Sequence, residues 1–413
     1  MSPPETKTQG LIPNLGAEEG PHWASLHRLP AVSTTVDLWR HLFRENHTLV
    51  GVETSPDPWP ESLGPRPAEA ALPWLEDSDV QCWWADPMAE RLAKQERLTW
   101  SGPVPSKVLE THDKAFAIQA SRELDLAPPE LRDLGKIFDS ETLRVPQNWL
   151  TQVERELGRW PEWTEGQFTL KPRMGSSGRG RIGGTLSSLD RSRLIAAAPG
   201  FANRGGVILE PWLRRCNDFS VQIHIGPSGS SRLPVVTLMG SLELWVTRAG
   251  VYRGHLGEVD SRGRVFSGGP YEEQAREAAA LMAGHAGAAG YTGPCGIDGM
   301  TFLGPARAGS ERPRLLRPIV EFNARFTMGT IVVGLIRRAL DLLKAKSDLG
   351  PGQRRAFLFA LDPPQGWPNW ETFQSEIPGP THLFHLSGPA SLTQPALLFA
   401  ENLENLRRAL SSA

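Results

Sequence analysis

The sequence predicts a chain of mixed α/β and α+β type, built from more than one domain. Three observations carry this. The 413 residues exceed one ordinary domain and match two or three. Strand-like and helix-like segments alternate over the first hundred residues, the pattern of a parallel sheet with helices on its faces. Beyond residue 206 the pattern changes to strands joined by turns, then a long Ala-rich helix and a strand pair.

The first domain is read over residues 1–105. Residues 1–10 form a loose leader, and Leu11 to Gly20 a strand edge running into a loop with Gly16 and Gly20 as turn residues. Val36 to Glu45 is helix-like, with Leu38, Leu42 and Phe43 on one stripe. Thr48 to Val52 and Val80 to Trp84 are strand candidates, the Pro-rich stretch from Ser55 to Pro67 is loop, and a helix runs from Pro87 to Leu98. The C-terminal edges of such strands are a natural place for a substrate.

Residues 106–205 form the next unit. Thr111 to Leu126 reads as one helix, with Thr111 as N-cap and Asp113 in the first turn; Pro128 and Pro129 stop it. A helix over Asn148–Leu157, a strand from Phe168 to Lys171 and a helix over Leu186–Ala198 complete it. In residues 206–348, strands are expected at Gly206–Glu210, Phe219–Ile225, Leu233–Val246, Gly250–Leu256, Gly296–Phe302 and Leu315–Phe322. Helices are expected at Tyr271–Ala289 and Thr330–Lys346. A Pro/Gly joint at residues 349–352 opens a last unit, 349–413, with a strand at Phe357–Leu361 and a helix at Leu397–Leu410.

Composition narrows the function classes. A hydrophobic content of 39% and a charged content of 22% are ordinary globular usage, so a sizeable core can be buried. The net charge of −2 gives no global field to recruit nucleic acid or an anionic membrane. Cys82, Cys216 and Cys295 are scattered and odd in number, which argues against a disulfide framework and a zinc site and fits a reducing cytoplasm. The N-terminus has no apolar signal-peptide core, and no apolar run is long enough for a membrane span. No nucleophile elbow is visible, and His224 and His255 read as structural.

Two stretches carry chemistry. In the first, Phe168 and Leu170 alternate with Thr169 and Lys171, so Lys171 faces away from the apolar pair. The loop that follows contains Gly175, Gly178 and Gly180, which let backbone N–H groups approach a ligand. Arg173, Arg179 and Arg181 can reach phosphate oxygens. The stretch reads either as a loop closing over a triphosphate or as an exposed basic hairpin tip. In the second, Glu321, Asn323 and Arg325 fall at i, i+2 and i+4 of a strand and share one face. A carboxylate and an amide oxygen so spaced suit a hard cation such as Mg²⁺. Asp298 precedes Glu321 by 23 residues, and a hairpin would set the two side by side. The alternative is a polar surface strand with an ordinary salt bridge. Glu210, at the end of an apolar strand and followed by Trp212 and Leu213, is a buried carboxylate in need of a partner. A ribose hydroxyl or an adenine amino group would serve, or the acid caps a turn with Trp212 in the core.

The ordered set of Lys171 before a Gly-rich loop, Glu210 with Trp212 and Leu213, Asp298, and Glu321 with Asn323 and Arg325 resembles the ATP-grasp superfamily, the fold of biotin carboxylase and D-alanine–D-alanine ligase. The resemblance covers roughly residues 105–345. It implies a Rossmann-like pre-ATP-grasp domain, a two-lobed ATP-grasp domain and a small C-terminal extension. It implies nucleotide contacts from Lys107, Lys171, Ser176, Ser177, Gly178, Glu210, Trp212, Leu213 and Asp218. Asp298, Glu321 and Asn323 become Mg²⁺ ligands, and Arg325 and Lys171 the catalytic pair at the reacting phosphate. The implied activity is an ATP-dependent carboxylate–amine ligase working through an acyl phosphate on small-molecule substrates, in a possible homodimer. A phosphotransferase or a non-catalytic nucleotide-binding module would use the same scaffold. The Asp298–Glu321 connection is longer than the family's usual one, and Asp298 replaces a commoner glutamate.

Overall fold

The structure is a computed structural model that describes residues 9–20, 23–51, 58–76, 78–176, 178–227, 233–247, 250–306, 310–347, 350, 352–388 and 391–411. Three sheets organise it. The first is parallel, with Gln9–Ile12 between His47–Leu49 and Val80–Cys82. Leu11 and Ile12 are fully buried in it. The helix after its first strand is Pro30–Arg40, starting earlier than its apolar stripe because Pro30 presets the first helical φ. The helix Pro87–Gln95 follows the third strand, and the Asp86 carboxylate accepts from the Ala89 N–H at 2.7 Å.

The second sheet is antiparallel, in the order Lys136–Asp139, Gly206–Pro211, Gln167–Pro172, Ile182–Thr185. Phe168, Leu170, Val207 and Leu209 meet Trp149, Leu150 and Val153 of the helix Pro146–Leu157 and Leu194, Ala198 and Phe201 of the helix Arg191–Ala202. Phe168 and Leu170 therefore face this core as their alternation requires, and Lys171 points the other way.

The third sheet has nine strands: Arg314–Asn323, Gly293–Leu303, Arg215–Gly226, Val235–Val246, Val265–Phe266, Tyr252–Asp260, Arg354–Ala360, Ala396–Ala400 and His382–His385. The Ala-rich helix Glu272–Ala288 and the helix Met328–Ser347 pack on it. Ala279, Met282, Ala283, Ile331, Val332 and Leu335 join Val221, Ile223 and Ile297 in one core. Methyl-sized side chains let the Ala-rich helix approach the sheet closely. Among the described residues no helix is long and apolar enough to cross a membrane.

Two local expectations are corrected. Thr111 is not an N-cap. It lies in the last turn of a separate helix, Pro105–His112, and the chain breaks at Asp113, whose carboxylate caps the next helix, Lys114–Glu123, through the Ala115 N–H at 2.8 Å. Residues 397–400 are not helical either. Ala396–Ala400 is a strand buried at every position, and only Leu403–Ser411 is helix. An apolar run without a helical period is what a strand covered on both faces produces. The C-terminal strands thus complete the large sheet. Leu398 pairs with Leu358 on one side and Leu383 on the other and is fully buried. Leu398→Ala should lower unfolding free energy by about 2–5 kcal/mol in urea titration. A loss under about 1 kcal/mol would contradict the buried strand.

Candidate active site

The site is built on the strand pair Gly293–Leu303 and Arg314–Asn323. Their register sets Asp298 directly across from Glu321, with an irregularity between Asp298 and Met300. Asn323 Nδ2 donates to Asp298 Oδ2 at 3.0 Å. Ladder pairing therefore brings two carboxylates and an amide together. The strand ends at Asn323, so Arg325 leaves the shared face. It remains attached, donating from Nη2 to Asn323 Oδ1 at 3.3 Å and from Nη1 to the Phe326 carbonyl at 2.9 Å. Its Nε lies 3.2 Å from Glu18 Oε1.

Cations from separate segments meet this acid pair. Lys114 Nζ is 2.9 Å from Glu321 Oε1 and donates to the Gly175 carbonyl at 2.6 Å. Burial raises the Glu321 carboxyl, but Lys114 and Lys171 more than offset it and hold it below the usual range. Asp298 is pushed up to about 6, by burial first and by the negative charge of Glu321 second. Lys171 is paired with Glu210, whose other oxygen takes Arg317 Nη2 at 2.7 Å. Against the cost of burial, Arg317 and Lys171 bring the Glu210 carboxyl down to about 2.

The Gly-rich loop is held from two sides. Lys114 grips its start, and the short turn Ala17–Glu19, which follows the first strand, grips its tip. Glu19 Oε1 accepts from Ser176 Oγ at 2.9 Å and from Arg179 Nη1 at 3.1 Å. Gly175 has φ +132°, a backbone conformation that side-chain-bearing residues rarely adopt, so a substitution there is strained. Arg173 does not reach into the cleft: its Nε donates to both Asp113 oxygens at 3.0 Å.

Among the sequence-predicted residues, Lys171, Ser176, Gly178, Asp218, Asp298 and Glu321 line one cleft of about 800 Å³, together with Lys114, Arg179, Arg181 and Arg215. Burial raises the Asp218 carboxyl, opposed by Arg215 at 3.3 Å. The guanidinium carbons of Arg181 and Arg215 lie 4.3 and 4.5 Å from the Trp212 ring centroid, so Trp212 is a platform for cations rather than a core residue. Leu213 is buried with Leu131, Met300 and Phe302 between the second and third sheets. Glu210 and Arg317 line a neighbouring cavity with Ile137, Leu209 and Ile319. Ser177 lies outside the described residues. Lys107 is not brought to the cleft. It sits on the helix Pro105–His112, pairs with Glu110 at 2.8 Å and packs beside Gly290. Lys114, one helix later, is the lysine turned inward. Sequence reasoning missed Lys114, Arg317 and Glu19 as site residues; the Asp113 cap before Lys114 was the one available signal.

Two carboxylates and an amide oxygen form a hard oxygen donor set of the kind Mg²⁺ takes, and their mutual repulsion favours a dication. Among the described residues no three His, Cys, Asp or Glu side chains converge as a metal cluster.

No protein-family model and no curated protein matches the chain. Solved structures match along its length. A biotin carboxylase from Campylobacter jejuni, solved as a βγ-ATP complex, is 13% identical, with a TM-score of 0.51 over 97% of this chain and 89% of that one. The biotin carboxylase domain of the Hydrogenobacter thermophilus 2-oxoglutarate carboxylase, a dimer solved with MgADP, ADP and bicarbonate, is 14% identical, with a TM-score of 0.52 over 98% and 90%. An N5-carboxyaminoimidazole synthetase from Staphylococcus aureus, solved with ADP, is 9% identical, with a TM-score of 0.52 over 98% and 96%. The chain has the ATP-grasp fold that these structures share.

Two predictions test the geometry. Glu210→Gln leaves Lys171 and Arg317 without their buried counter-charge and should cost about 3–5 kcal/mol in denaturant at pH 7. The folded carboxyl titrates near 2 against an ordinary 4.5. Its contribution is therefore whole above about pH 4.5 and fades as pH falls toward 2, where the gap between wild type and variant should narrow. A pH-independent gap would refute the pairing. Glu19→Gln should loosen the Gly-rich loop. A partly exposed pair is worth about 0.2–1 kcal/mol, so trypsin cleavage after Arg179 and Arg181 should rise by about 1.4–5-fold. Unchanged cleavage would show that Glu19 does not hold the loop.

Proposed function

We propose that the protein is an Mg²⁺- and ATP-dependent ligase that joins a small carboxylate to an amine through an acyl phosphate, releasing ADP and phosphate. The observation that carries this reading is the placement of Asp298 across from Glu321, with Asn323 bonded to Asp298, inside a cleft whose other wall carries Lys171 and the arginine-bearing loop. The fold shared with nucleotide-bound carboxylases and a synthetase supports it.

In this reading Lys171 and the loop residues Ser176, Gly178 and Arg179 hold the triphosphate, and Arg181 and Arg215 add positive charge above Trp212. The cavity walled by Ile137, Leu209 and Ile319 beside Glu210 takes the base. Asp298, Glu321 and Asn323 would hold Mg²⁺, which when bound neutralises phosphate charge. The substrate carboxylate attacks the γ-phosphorus, ADP leaves, and the amine then displaces phosphate from the acyl phosphate. Arg325 stabilises charge on the reacting oxygens, and its contact with Glu18 fixes its orientation. The loop excludes water that would hydrolyse the acyl phosphate.

The test is Mg²⁺-dependent ATP consumption against a panel of carboxylates, bicarbonate included, and amines, singly and in pairs. ADP and phosphate formed only with both partners supports the ligase. A phosphorylated product without free phosphate would replace it with a phosphotransferase, and nucleotide binding without turnover would replace it with a binding module. Glu321→Ala should lower Mg²⁺-dependent turnover by about 100-fold or more while the chain still folds, read by an unchanged circular dichroism spectrum. Lys171→Ala should weaken ATP binding, and wild-type affinity in that variant would remove the phosphate role.

A further inference from the structure

One polar side chain in the core of the large sheet lies just behind the acid pair. Gln222 sits between Val221 and Ile223 in the strand Arg215–Gly226 and is fully buried. Ser220, Asp298 and Glu321 stand side by side across three strands. Gln222, Gly296 and Asn323 form the next row on the same face. Gly296 carries no side chain, so the Gln222 amide extends past it toward the start of the helix Met328–Ser347, where Gly329 borders it.

The hydrogen bonds of this amide run in one direction. Thr327 Oγ1 accepts from the Thr330 N–H at 3.2 Å, and its own proton goes to Gln222 Oε1, 2.6 Å away. Thr330 Oγ1 donates to the same oxygen at 3.0 Å. With its oxygen held by two hydroxyls, the amide turns its nitrogen to Ser220 and donates to the Oγ at 2.7 Å. Ser220 is 2% exposed, and its proton is left for Asp298, to which it is hydrogen-bonded. Asn323 Nδ2 holds Asp298 Oδ2 from the other neighbouring strand. The carboxylate is thus held from both sides, and the far end of the network is anchored two residues beyond Arg325. Burying an amide is costly unless it is bonded, and a bonded polar network in a core fixes one geometry.

We propose that Gln222 is a positioning residue for the metal site. Through Ser220 it sets the rotation of the Asp298 carboxylate, and through Thr327 and Thr330 it ties the turn that carries Arg325 to the same frame. The proposal rests on the reading of Asp298, Glu321 and Asn323 as divalent-cation ligands and not on the ligase chemistry.

The experiment uses the full chain and reads Mn²⁺ binding by electron paramagnetic resonance in the presence of ADP, with ADP affinity measured separately without metal. Ser220→Ala and Thr327→Val each remove one hydroxyl of the network. Each should weaken Mn²⁺ binding about 10-fold, with metal-free ADP affinity and the circular dichroism spectrum unchanged. Thr327→Ser keeps the donor and should retain wild-type metal affinity. Gln222→Met, of similar length, should weaken binding at least as much; should that variant not fold, the two hydroxyl variants decide. Ile223→Val, on the opposite face of the same strand, controls for a general loosening of the sheet. It should lower the melting temperature and leave Mn²⁺ affinity as in wild type. Equal Mn²⁺ affinity in wild type, Ser220→Ala and Thr327→Val overturns the proposal, as does a loss in Ile223→Val equal to theirs. Wild-type protein that binds no Mn²⁺ with ADP removes the metal reading and this proposal together. The expected pattern in a protein without ligase turnover supports the proposal and removes only the ligase reading.

Discussion

The constraint on which the site depends is the enforced proximity of Asp298 and Glu321. Ladder pairing in the large sheet leaves them no freedom to separate. Two carboxylates side by side in a buried place repel, and the structure resolves this asymmetrically. Lys114 keeps Glu321 ionised, while Asp298 carries the strain as a raised pKa. The rest of the architecture serves that arrangement. The chain breaks at Asp113 so that Lys114 begins a helix at the cleft wall, and the same Lys114 nitrogen holds the Gly175 carbonyl at the root of the loop. One side chain thereby ties the acid pair to the segment that covers it.

A second tie comes from the segment that follows the first strand. The turn Ala17–Glu19 sends two neighbouring acids to different targets, Glu18 to Arg325 and Glu19 to Ser176 and Arg179. Movement of this turn would therefore be felt at the arginine and at the loop tip together. The three sheets are not independent modules in this respect, because the cleft is closed by contacts from all of them.

Legibility followed the range of the interaction. The Asp298–Glu321 pairing was readable because a hairpin and a period of two are local rules, and the face of Lys171 was readable for the same reason. The parallel sheet at the start was readable from element alternation. Lys114 was not, because the break at Asp113 reads as the first turn of one helix starting at Thr111, and Lys107 enters only through the family resemblance. The strand Ala396–Ala400 was not, because an apolar run buried on both faces carries no period to distinguish it from helix. Glu19 and Arg317 could not be found from spacing at all. Their partners lie 157 and 107 residues away, and a carboxylate's choice among many arginines is made by the fold.

The pairing pattern also gives the cleft a direction. Around Lys171 there are four cations, Lys171, Arg317, Arg181 and Arg215, against the carboxylates of Glu210 and Asp218. Glu210 thus positions Lys171 without cancelling it, because Arg317 already balances that carboxylate. At the other end Asp298 and Glu321 face Lys114, Lys171 is also felt at Glu321, and Arg325 is balanced by Glu18. Cations are in excess at one end and the paired carboxylates stand at the other within one cleft, where charge is felt strongly. A polyanion carrying a divalent cation fits such a gradient in one orientation, with its phosphates toward Lys171 and the cation toward Asp298 and Glu321. Reversing it would set phosphate oxygens against two carboxylates. In the proposed reading, the orientation of a bound nucleotide would therefore follow from where the fold sets the acid pair and where it leaves cations in excess.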